Sequence, residues 1–134
     1  MIKIKRLQNL IILKHKYLNI QKSEINTLTN ELKKCMTIKD KLREIMKNIE
    51  KEENTKASIL KENNKFNLKI LEQILIANNR IKFLKIELNR ARNNLGKLIK
   101  QKEKIEKKIS AEVKNNLDLI EKKYLDSMPP QRNI

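Results

Sequence analysis

Glycine and proline are almost missing from this chain: Gly96 is the only glycine, and Pro129 and Pro130 are the only prolines. These two residue types punctuate folds, so a sequence free of both before Gly96 is written for long, uninterrupted helix. Tryptophan is absent, and Tyr17, Phe66, Phe83 and Tyr124 are the only aromatics in 134 residues. Without bulky side chains to fill it, a rounded hydrophobic core is excluded. Cys35 stands alone, which excludes an intramolecular disulfide and fits a reducing compartment.

Long apolar runs are missing as well. The run Leu10 to Leu13 is too short for a signal-peptide core, is followed by Lys14, His15 and Lys16, and has no small-residue cleavage site after it. Lysines interrupt every window of the roughly 20 apolar residues that a membrane span requires. The expectation is a cytoplasmic protein without a membrane span.

What the chain does have is charge and a recurring apolar stripe. Lys and Arg number 32 against 16 Asp and Glu, a formal net charge of +16. Lys far outnumbers Arg, Asn and Ile abound, and Val113 is the only valine, a style that reflects AT-rich coding and discounts part of the lysine excess. A field of this sign still favours acidic partners and salt-sensitive association. Charged residues make up 36% of the chain, yet Leu and Ile recur throughout, which excludes a disordered polyelectrolyte.

Heptad positions a and d in the first half fall on Ile4, Leu7, Ile11, Lys14, Leu18, Gln21, Ile25, Leu28, Leu32, Cys35, Lys39, Leu42, Met46 and Ile49. In the second half they fall on Ile70, Ile74, Ala77, Ile81, Leu84, Leu88, Ala91, Leu95, Leu98, Lys102, Ile105 and Ile109. Alternating steps of three and four sustained this far are the signature of a coiled coil, because they keep one seam facing a partner helix. After Ile109 the phase jumps to Val113, Leu117, Ile120 and Tyr124, a stutter that locally unwinds a supercoil and lets the last turns splay. Lys14, Gln21, Lys39 and Lys102 interrupt the stripe either as register-setting polar layers or as lysines that snorkel to water. Gly96 marks a bend or close backbone contact, or is simply tolerated, at a cost of about 1 kcal/mol relative to Ala.

Between the halves, from Glu52 to Asn67, the stripe fails and a reversal is expected. Asn54 to Ser58 and Asn63 to Asn67 compete for it. The second is preferred, because paired asparagines tolerate the left-handed backbone of a tight turn and the two arms then match in length. The predicted fold is all-α, a long antiparallel two-helix coiled-coil hairpin. Arm one covers about 2–61, the turn 62–67 and arm two 68–126, with a flexible C-terminal tail at 127–134. The rival is one unbroken helix paired with a second copy, which leaves the polar middle as a hole in the seam.

Nothing in the sequence carries catalysis. His15 is the only histidine, and metal centres and Ser-His or Cys-His chemistry need further groups at set spacing. Cys35 sits at a d position as a small hydrophobe, Glu52 and Glu53 point in different directions on a helix, and one glycine cannot build a phosphate loop. The chain reads as no enzyme, with no cofactor, metal or small-molecule ligand. The charge distribution says more. No acidic residue precedes Glu24, whereas Lys3, Lys5, Arg6, Lys14, Lys16 and Lys22 crowd that stretch, and Ile4, Leu7, Leu10, Ile11, Ile12 and Leu13 cover more than one helix face. In an antiparallel hairpin this segment lies beside Val113 to Tyr124, giving a basic rim and spare apolar surface where a partner binds.

A hairpin of this length that starts Met-Ile-Lys-Ile-Lys-Arg-Leu-Gln-Asn-Leu-Ile-Ile-Leu-Lys resembles the FliJ/YscO family (SctO), the stalk proteins of flagellar and injectisome type III secretion. The AT-rich style suits an EscO-type member of that family, with a role in virulence. The resemblance implies a stalk whose open end enters the central pore of a hexameric secretion ATPase, stimulating or coupling its activity, while the turn end points to the export gate protein. Secretion chaperones are a further partner class. Localisation would be cytoplasmic, peripheral to a membrane-embedded secretion apparatus. Lys3, Lys5, Arg6, Lys14 and Lys16 would steer the rod into an acidic pore, with Leu7, Leu10 and Tyr124 supplying packed area. The Pro-Pro tail matches no motif of the family. The alternative function is a basic nucleic-acid- or ribosome-associated coiled coil, against which stand few arginines, few aromatics and no compact basic region before a zipper. A helical chaperone or tethering hairpin is a third class.

Overall fold

The computed structural model describes residues 2–51 and 57–129 of the chain, and the side-chain surroundings of 2–50 and 61–129. Among the described residues two helices account for the secondary structure, α1 at Ile2–Lys51 and α2 at Ala57–Ser127. They pack against each other as an all-α hairpin. Antiparallel pairing is fixed by polar contacts across the seam: Lys3 Nζ lies 3.0 Å from Glu112 Oε1, and Lys14 Nζ donates to Gln101 Oε1 at 3.0 Å. Moving up α1 from residue 3 to residue 14 therefore moves the partner down α2 from 112 to 101.

The preferred turn is corrected. Residues 62–67 are helical throughout and belong to α2, which begins at Ala57 rather than near 68. The helices end and begin on either side of residues 52–56. Of the competing site, Asn54 to Lys56 lie outside the described residues, and Ala57 and Ser58 are helical. Among the described residues no side-chain-bearing position has a positive φ, so the left-handed backbone that favoured the asparagine pair is not used. The physical reason is phase. Asn63 and Asn67 are both half-buried, spaced four apart and three before Ile70, so they extend the second stripe rather than interrupt it. An asparagine in a helix interior costs well under 1 kcal/mol relative to alanine, less than giving up two turns of paired helix.

Burial follows the heptad reading. Every a and d position of α1 from Ile4 to Ile49 is half-buried, apart from Leu18, which is buried. On α2, Ile70, Ile74, Ala77, Ile81, Leu84, Leu88, Ala91 and Ile105 are buried, and Leu95, Leu98, Lys102 and Ile109 are half-buried. No polar residue is fully buried among the described residues. Three of the four polar seam positions make polar contacts. Lys14 reaches Gln101, Gln21 Nε2 donates to Glu24 Oε2 at 3.0 Å, and Lys102 Nζ lies 3.9 Å from Glu106 Oε1. These geometries favour snorkelling over a buried polar layer. Cys35 is half-buried in the seam, where a thiol packs as a small hydrophobe.

Threonines that would disfavour helix are accommodated locally. Thr27, Thr29 and Thr37 donate their hydroxyls to the carbonyls of Ser23, Ile25 and Lys33, one turn earlier. At the other end, Ser127 Oγ donates to the Tyr124 carbonyl at 2.8 Å and the Met128 amide donates to the Leu125 carbonyl at 3.3 Å, just before Pro129. Gly96 needs no special account, because a methyl group added there would meet no atom within 4 Å. The close-contact explanation is thereby removed, and Gly96→Ala is expected to stabilise the fold by about 1 kcal/mol. A thermal melt followed by circular dichroism checks this, and a lowered midpoint would mean that the helix needs the glycine backbone.

The chain divides into two compact units, one formed by Met1–Ile20 with Leu95–Ile134, the other by Gln21–Asn94.

Candidate partner interface

The first unit carries the residues that the sequence marks for partner binding. Lys5, Arg6 and Lys16 are exposed, and no ion pair engages them among the described residues. Lys3 is exposed too, but its ammonium is held by Glu112. Lys14 and Leu7 sit elsewhere: both are half-buried in the seam, with Lys14 bonded to Gln101, so neither is presented outward as the basic residues around it are. His15 lies beside this contact, its Nδ1 3.5 Å from Lys102 Nζ.

The same stretch also exposes apolar side chains. Leu10 is 38% exposed, and Ile2, Leu13, Tyr17 and Ile20 are more so. At 100° per residue these five fall within about a quarter-turn, on one flank of α1 beside the seam. The structure therefore joins Leu10 to Tyr17 and Ile20, which sequence reasoning passed over. Their signal was present in the spacing of Leu13 and Ile20, seven residues apart and off the a and d phase.

Where α1 meets α2, a cleft of about 310 Å³ is lined by Lys3, Leu7, Lys108, Ala111 and Glu112. Leu7 and Ala111 give it an apolar floor, while Lys3, Lys108 and Glu112 bring charge to its edges. Sequence reading named Lys3 and Leu7 but not the three α2 residues, because α2 continues its seam phase past Ile109. Glu112 and Asn116 are half-buried, three and seven residues beyond Ile109. The stutter therefore leaves the seam in phase and carries the apolar stripe out of it. Val113 is 41% exposed, Leu117 60%, Ile120 57% and Tyr124 62%. Each step of one residue turns the helix by about 100°, so a stripe that starts at 113 rather than 112 is rotated out of the seam onto its flank.

The second unit has an exposed apolar face of its own. Leu68, Leu71, Leu75, Ile76, Phe83 and Ile86 are all about half exposed and lie opposite the buried row of α2. Arg80 borders this face, its guanidinium 5.8 Å from the Phe83 ring centroid and 3.1 Å from Glu31 Oε2 on α1. Patches of this kind on one helix mark surfaces that another chain covers.

Among the described residues no group of three His, Cys, Asp or Glu side chains could hold a metal ion, and no helix is long and apolar enough to cross a membrane. No protein-family model, curated protein or solved structure matches the chain.

Proposed function

We propose that the protein is a stalk of a type III secretion apparatus, which inserts its Lys5, Arg6 and Tyr124 end into the central pore of a hexameric secretion ATPase and stimulates or couples its activity. The observation that carries the reading is the joint presence, on one stretch of α1, of exposed cations at Lys5, Arg6 and Lys16, which no ion pair engages among the described residues, and exposed apolar residues at Leu10, Leu13 and Tyr17. Cations of this kind raise encounter rates with an acidic lining, and the apolar residues supply contact area once seated. A hairpin without symmetry inside a ring touches some subunits and not others, so its contacts bias their nucleotide states unequally. The apolar face from Leu68 to Ile86 supports a second contact, with the export gate protein or a secretion chaperone.

The test is a purified ATPase assay with Lys5→Glu combined with Arg6→Glu. Lys3 is left alone, since a carboxylate there would face Glu112 and disturb the hairpin itself. The double variant is expected to stimulate about tenfold less at limiting stalk concentration, with unchanged helix content by circular dichroism. Equal stimulation would end the assignment.

A further inference from the structure

The stripe Val113, Leu117, Ile120 and Tyr124 has the steps four, three and four of a coiled-coil seam, read as d, a, d and a. Its phase sets it about a quarter-turn round α2 from the row that packs on α1, so the helix that completes this seam is not the chain's own first arm. The surrounding charge narrows the choice of occupant. Residues 113–127 carry Lys114, Lys122 and Lys123 against Asp118, Glu121 and Asp126, a net charge of zero in a chain of +16. Like-charge repulsion, which opposes self-association elsewhere on this chain, is locally absent.

We infer that this segment pairs antiparallel with the same segment of a second copy. Setting Leu117 against Ile120 of the second copy brings Val113 opposite Tyr124 of that copy. The e positions then meet each other across the pair, as antiparallel packing requires, so Lys114 lies beside Glu121 of the second copy, and Glu121 beside the second copy's Lys114. Both ion pairs are of opposite sign. A parallel pairing would instead put Lys114 beside Ile109 and Glu121 beside Asn116, with no ion pair at all. The apolar row thus selects a helix as occupant, and the charges on its flank select this sequence in the reverse direction. Four apolar side chains per copy fall well short of the roughly 1,600 Å² of a standard stable interface. The dimer is therefore weak, and its population rises with concentration.

Sedimentation equilibrium of the full chain over a roughly hundredfold concentration range reads this directly. The expected result is a mass that climbs toward the dimer, is held at the monomer by Leu117→Asp, and is reached about tenfold less readily with Lys114→Glu or Glu121→Lys alone. Combining Lys114→Glu with Glu121→Lys restores the association. All three positions involved are exposed, so helix content stays constant and folding does not confound the comparison. A chain that remains monomeric throughout overturns the inference. So does a dimer indifferent to the single charge changes, or a double swap that fails to recover. No ATPase enters the measurement, so its outcome is independent of the stalk assignment.

Discussion

Leu84→Ala is expected to destabilise the hairpin by about 3 kcal/mol, the largest effect of any single truncation among the described residues. Leu84 is 1% exposed, the most completely enclosed large side chain described, and it lies in the middle of the buried run from Ile70 to Ala91. In a two-helix seam no second layer of side chains can move in to fill the gap, so the lost contacts and the residual cavity both count. Ile86→Ala, two residues on and 60% exposed, is the matched control and is expected to change stability by less than about 0.5 kcal/mol. Urea titration followed by circular dichroism measures both. Equal costs at the two positions would show that the seam is not what holds the helices together.

Asn67→Leu is expected to act in the opposite direction, stabilising the fold by about 2 kcal/mol. Asn67 occupies a seam position one turn before Ile70, and among the described residues no donor reaches its buried Oδ1. An amide whose carbonyl loses solvent without gaining a partner costs about 1–3 kcal/mol, and leucine at the same place adds apolar area to the row. The same titration is the measurement. A drop in stability would mean that the amide takes part in a hydrogen-bonded arrangement the hairpin needs, and would put Asn67 among the residues that set its register.

Much of the fold could be read from spacing alone, because a thin seam leaves its period in the sequence. Each a and d residue named from Ile4 to Ile49 and from Ile70 to Ile109 is at least partly enclosed. Asn63 and Asn67 were misread because composition was weighed above phase: two polar residues suggested a loop, while their distances of seven and three from Ile70 kept them on the stripe. At Val113 phase is the better guide: the jump after Ile109 predicts that the last turns leave the seam, and Val113, Leu117, Ile120 and Tyr124 are exposed. At the candidate interface, charge was legible but commitment was not. Lys14 and Lys16 look alike in sequence, and only the packed register shows that one is bonded to Gln101 and the other is exposed. Lys108 and Glu112 went unnoticed because the cleft they line exists only once α2 is laid against Lys3 and Leu7.

The row of enclosed side chains in α2 is a single file, and each member leans on the neighbours before and after it. Injury to such a file travels lengthwise or stops; it has no sideways route. Drift in the sequence can therefore accumulate layer by layer, each layer answerable to its immediate companions, and a damaged layer shortens the zipped length where a globular core would lose everything at once.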